Sequence, residues 1–172
     1  MLFDIVIMVP AVVRYIDPLF DFSFKKLFGS KENKAFLISF LNELFEDRKD
    51  ITDIVYGKND HPGDIREERG AIFDVLCTNE KGEKFLIEVQ RGRQENFGKR
   101  LLYYASRQIS SQAEKGMIRE DWEYEFTKIY VIAILGDFTV TDDNSCVKRI
   151  SLCDEHTGEI FSDDFGFIFV IT

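Results

Sequence analysis

The sequence is short of the residues that build metal–thiolate clusters and disulfide frameworks: it holds three cysteines and two histidines in 172 residues. Cys77, Cys146 and Cys153 are odd in number and show no CxxC spacing. That argues against a disulfide scaffold or zinc ribbon and suits a reduced, cytoplasmic protein with Cys77 as a buried strand filler. His61 and His156 fall in polar, turn-like stretches without metal-ligand spacing. HExxH, GxSxG and a phosphate-binding glycine-rich loop are all missing, which sets aside the common zinc-hydrolase, serine-hydrolase and nucleotide-binding signatures. Long apolar runs are missing too. The N-terminal MLFDIVIMVPAVV contains Asp4 and Pro10 and lacks a basic start, so it is a poor signal peptide, and no run reaches the ~20 residues of a membrane span. Positive charge is in deficit, 22 Lys and Arg against 31 Asp and Glu, for a formal charge of −9. A protein that coats nucleic acid non-specifically is disfavoured, whereas an enzyme with a local basic patch is not.

What the chain has in excess is phenylalanine, seventeen residues, most at positions that read as core. DPLFDFSFKKLFGS predicts an Asp-Pro turn and a short helix with Phe20, Phe24, Leu27 and Phe28 on one face, stopped at Gly29. Ser30 is placed to cap a second helix, KENKAFLISFLNELFEDRK, whose stripe is Phe36, Leu37, Phe40, Leu41 and Leu44. ITDIVYG reads as a strand, KNDHPGDIREERG as a polar loop and ENFGKRLLYYASRQISSQAEKG as a helix ended by Gly116. TKIYVIAILG has the continuous apolar pattern of a strand covered on both faces. KRISLCD, EIFS and GFIFVIT read as three further strands, with EHTG as a turn. The order helix, strand, strand, strand, helix, strand predicts an α/β or α+β sheet flanked by helices, with extra C-terminal strands.

Between these elements lies IFDVLCTNEKGEKFLIEVQ, an apolar hairpin interrupted by Asp74, Glu88 and Gln90. NEKGE suits a three-residue loop with Gly82 in the left-handed position that ends such loops. In that register Asn79 faces Glu83 and Asp74 faces Glu88, with Gln90 on the same face; a four- or five-residue loop would slide the pairing. Two carboxylates with Cβ atoms ~5 Å apart repel, and burial among Ile72, Leu76 and Leu86 worsens the conflict. Either the pair sits at a wet edge, or one group is protonated, or a hard cation such as Mg²⁺ lies between them.

Aspartate on the second strand followed by E-x-Q on the third, in this element order, resembles the PD-(D/E)XK nuclease superfamily. The chain is more narrowly similar to the PD-(D/E)XK family transposases, the recombination-promoting nuclease group. RYIDPLFDFSFKKLFGSKENKAFLISFLNELF, FDVLCTNEKGEKFLIEVQ, KRLLYYASRQ and KIYVIAILGDF follow that group's order over roughly residues 14 to 165. The resemblance implies a restriction-endonuclease-like core and a metal-dependent DNA endonuclease, associated with recombination or transposition. Asp74 and Glu88 match its metal-binding acids, holding Mg²⁺ (Mn²⁺ as substitute) with help from a carbonyl between Glu88 and Gln90. Gln90 stands where the wider superfamily has lysine; a neutral amide orients water but supplies no charge. Glu43 of the long helix is a candidate third carboxylate, although a solvated helical glutamate is the commoner case.

Residues 91 to 107 carry Arg91, Arg93, Lys99, Arg100 and Arg107 against the single acid Glu95, a basic window suited to DNA phosphates. Arg100, Tyr104 and Arg107 share a helix face opposite the apolar stripe Leu101, Leu102, Ala105 and Ile109, so a plain solvated face explains them equally well. Residues 1–13 read as an N-terminal extension and 14–172 as one nuclease-like domain that ends earlier than its relatives. The expected partner is DNA, with neither a membrane nor a small-molecule cofactor, and a homodimer is compatible. The alternative is a catalytically inactive nuclease-fold remnant that binds DNA or protein. Trp122 fits a loop anchor or a partner contact.

Overall fold

Three helices and eight strands make up the computed structural model, which describes residues 17–46, 50–57, 60–61, 71–112, 125–136, 138–139 and 145–172. The expected N-terminal extension, Gly116 and Trp122 lie outside the described residues, as does the side chain of His61. In chain order the elements are α1 (Asp21–Phe28), a 3₁₀ turn (Lys31–Asn33), α2 (Lys34–Phe45), β1 (Ile54–Tyr56), β2 (Asp60–His61) and β3 (Ala71–Ile72). There follow β4 (Val75–Asn79), β5 (Lys84–Gln90), α3 (Phe97–Ser110), β6 (Ile129–Leu135), β7 (Val147–Cys153) and β8 (Ile160–Ile171). The main sheet has six strands in the order β1-β4-β5-β6-β8-β7, while β2 and β3 form a separate two-stranded ribbon. That ribbon occupies part of what the sequence suggests is only a polar loop.

The mixed sheet follows from its connections. A tight turn joins β4 and β5, so they pair antiparallel, whereas α3 carries the chain from β5 across to β6, so those two are parallel. β6 also runs parallel to β8 and is flanked on both sides, which is why its sequence is apolar almost throughout. Alternation along β5 then assigns the faces. Phe85 and Ile87 pack with Phe24 of α1 and Leu37, Leu41, Leu44 and Phe45 of α2. Leu86 packs on the opposite side with Phe97, Leu101 and Ala105 of α3. Cys77 is a fully buried filler whose thiol burial pushes up to about 12, so it is neither ligand nor nucleophile.

The helix faces differ in detail from the sequence reading. The stripe of α2 is Leu37, Leu41, Leu44 and Phe45, at i, i+4, i+7 and i+8, and this rotation leaves Phe36 63% exposed. On α3 the buried set is Phe97, Leu101, Ala105 and Gln108, which turns Leu102 outward. Phe20 precedes α1 with extended backbone and so lies off the helix face. Ser30 makes no side-chain cap. At the other end of α2, Arg149 of β7 donates to the Leu44 carbonyl at 2.6 Å and to Glu46 Oε1 at 2.7 Å, satisfying the helix terminus from the far edge of the sheet. EIFS and GFIFVIT form one strand, β8, with register shifts opposite Leu152. Its acidic middle survives in a strand because this portion extends beyond β6, where Ser162 Oγ donates to Asp164 at 3.0 Å.

Candidate active site

The hairpin takes the anticipated register. Val75 pairs with Ile87, Leu76 with Leu86, Cys77 with Phe85 and Thr78 with Lys84. Gly82 closes the loop with φ +81°, where its own N–H reaches the Asn79 carbonyl at 3.1 Å. The Asn79 side chain locks the turn further: Oδ1 accepts from the N–H groups of Lys81 and Glu83, and Nδ2 donates to Glu83 Oε2 at 2.7 Å.

Asp74 sits in a bend one residue before β4 begins. Its Oδ2 accepts the Val89 N–H at 2.8 Å, so the side chain supplies the acceptor that the ended strand no longer provides. This bond anchors Asp74 beside Glu88, and the two are 9% and 6% exposed. Glu88 Oε1 is buried and has no hydrogen-bond partner among the described residues. Burial, followed by the nearby Asp74 charge, pushes the Glu88 carboxyl up to about 8; Arg100 and Lys25 oppose that rise. Burial also raises Asp74. The wet-edge alternative for the pair is therefore set aside.

Two residues of α1 complete the surroundings, and neither stands out in the sequence. Lys25 Nζ lies 2.7 Å from Asp21 Oδ1 and 3.2 Å from Asp74 Oδ1. Asp74 and Asp21 also share a hydrogen bond that raises the first carboxyl and lowers the second. The only available signal was the i, i+4 spacing of Asp21 and Lys25, which usually marks nothing more than a solvated helical pair. Glu43, by contrast, is exposed and lines a groove on α2 with Ala35, Ile38, Ser39, Asn42, Glu46 and Thr52, away from Asp74 and Glu88. The long-helix carboxylate therefore does not join the site; the acid that approaches it comes from α1.

Gln90 ends β5. Its Oε1 accepts from Arg100 Nη2 at 3.0 Å and its Nε2 donates to the Gly92 carbonyl at 2.8 Å. Arg100 is held in turn by Gln94 Oε1 at 2.6 Å and lies over the rings of Phe97 and Tyr104. It is a half-buried element of the site, which corrects the solvated-face reading. The other basic candidates diverge. Arg91 lies 3.6 Å from Asp17 and over the Phe20 ring, Arg93 is exposed, and Arg107 is half-buried farther along α3. Lys99 and Arg100 line a shallow groove with Gln94, Glu95, Asn96, Tyr103 and Tyr104.

These donors suit a hard divalent cation. Two neighbouring carboxylates are buried, both resist ionisation, and one has an oxygen without a partner among the described residues. Among the described residues no three His, Cys, Asp or Glu side chains form a complete cage. Among them, too, no helix is long and apolar enough to cross a membrane.

No curated protein and no solved structure matches the chain. The family model of the PD-(D/E)XK nuclease family transposases matches residues 18–171, which span every described helix and strand. The element order and the mixed sheet agree with that match, and the chain belongs to this family of transposition-related nucleases.

Proposed function

We propose that the protein is a divalent-metal-dependent DNA endonuclease acting in recombination or transposition, with Asp74 and Glu88 as metal ligands. The observation that carries this reading is Glu88 Oε1, buried beside a second buried carboxylate and without a partner among the described residues. An acid in that position is costly unless a cation or a proton compensates it. Mg²⁺, or Mn²⁺ in its place, would be held by these two side chains, with the Val89 carbonyl and water as further oxygen ligands. Lewis-acid polarisation of the phosphodiester and activation of water are the chemistry such an ion supplies when bound.

The chain's own residues do the rest. The Val89 N–H fixes the Asp74 carboxylate, and α3 keeps Glu88 dry by covering its face of the sheet. Gln90 has one N–H and one lone pair left after bonding Arg100 and Gly92, enough to orient a water or a phosphate oxygen. Arg100 brings fixed positive charge to the same corner, and Lys99 and Arg93 stand ready for backbone phosphates.

A plasmid nicking assay with Mg²⁺ or Mn²⁺ tests the reading: wild type should cleave, and Asp74→Ala should reduce the rate by at least about 10²-fold. The second reading, an inactive nuclease fold that binds DNA, is favoured by the Lys25–Asp74 ion pair, which already neutralises one of the two acids. It predicts DNA binding with no cleavage under either metal.

A further inference from the structure

We propose that Lys25 is the site's internal cation, competing with a divalent metal for Asp74; this rests on the metal-site reading above. The ammonium lies within 3.2 Å of Asp74 and 2.7 Å of Asp21, so one positive charge bridges an acid of the site and an acid of its own helix. The bridge is asymmetric. Asp21 is on the same helix four residues away and stays within reach of Lys25 whatever happens at the sheet, whereas Asp74 belongs to the hairpin. Giving up Asp74 therefore costs Lys25 one of two partners, and Asp21 keeps the amine beside the site. Glu88 has no comparable arrangement, because its buried Oε1 has no donor among the described residues.

Two consequences follow. In metal-free protein, Lys25 screens Asp74 and reduces its affinity for a divalent ion. Once displaced, Lys25 is a tethered positive charge next to the acids, available to a phosphate oxygen in a way that the neutral Gln90 is not. A single lysine thus makes metal binding weaker and phosphate chemistry faster, two effects of opposite sign that a purely structural ion pair would not produce.

The test is Mn²⁺ binding to the whole protein, followed by calorimetry and by the electron paramagnetic resonance of free Mn²⁺, for wild type, Lys25→Met and Lys25→Arg. Lys25→Met keeps the apolar stem on a half-exposed position, and circular dichroism checks its fold. It should bind Mn²⁺ about fivefold more tightly, the scale of one half-exposed ion pair, while Lys25→Arg stays near wild type. At saturating metal, Lys25→Met should cleave plasmid about 10²-fold more slowly. Unchanged or weaker Mn²⁺ binding in Lys25→Met overturns the competition, and tighter binding with undiminished turnover overturns the phosphate role. Wild type that takes up no Mn²⁺ overturns the metal site itself, a failure distinct from either of these.

Discussion

Replacing Glu88 by glutamine is expected to stabilise the metal-free protein at neutral and alkaline pH while leaving its stability in acid unchanged. Burial, reinforced by Asp74, moves the Glu88 carboxyl from its ordinary 4.5 to about 8. The folded protein therefore holds this proton more tightly than the unfolded chain does. Stability from this group is fully present below about 4.5 and is lost as the pH rises toward about 8. Between those limits the slope is about 1.4 kcal/mol per pH unit, which amounts to about 3 kcal/mol at neutral pH and about 5 kcal/mol once Glu88 is ionised. Against a total of ~5–15 kcal/mol for an ordinary domain, that is a large share. Urea melts of wild type and Glu88→Gln in chelator should converge in acid and separate steadily above it. Mn²⁺ should restore much of the wild-type loss in mild alkali, because an ion that binds only the folded, ionised form stabilises it by mass action. Parallel curves throughout would refute the burial argument, and a gap indifferent to metal would refute Glu88 as a ligand.

Two further substitutions address the supports of the site. Arg100→Met removes charge-assisted bonds to Gln90 and Gln94 and should destabilise the fold by about 1–3 kcal/mol in urea melts. Because Arg100 holds the Glu88 carboxyl down, the pH transition of that group should also move upward, read from the same melts. Gly82→Ala forces a side chain into φ +81° and places its Cβ 3.1 Å from Thr127 Cγ2. A loss of about 1–2 kcal/mol is expected, seen as a thermal midpoint lower by about 3–6 °C.

Much of the site was legible in one hairpin, for local reasons. Turn chemistry decides register, and register decides which side chains share a face; Gly82 and Asn79 were therefore enough to set the β4–β5 ladder, just past whose end Asp74 bonds the Val89 N–H beside Glu88. The continuous apolar run of β6 announced a central strand in the same way. Helix rotation was less legible. In α2 the apolar residues exceed what one face can bury, and the sequence contains no rule for preferring Phe45 over Phe36. The merging of two expected strands into β8 is not legible because an acidic interruption normally ends a strand, and here the interrupted part lies past the sheet's covered centre.

By itself, then, the sequence determined the helices and the central strands, the β4–β5 register and the resemblance that the family match bears out. The register depends on near neighbours, where alternation and turn geometry leave few choices. The tertiary structure alone decided what surrounds the pair. Lys25 and Asp21 arrive from α1, roughly fifty residues upstream of Asp74, while Arg100, in the first turn of α3, is turned toward Gln90 rather than to solvent. Those meetings follow from how α1 and α3 pack on opposite faces, a property of the assembled core that no local spacing encodes.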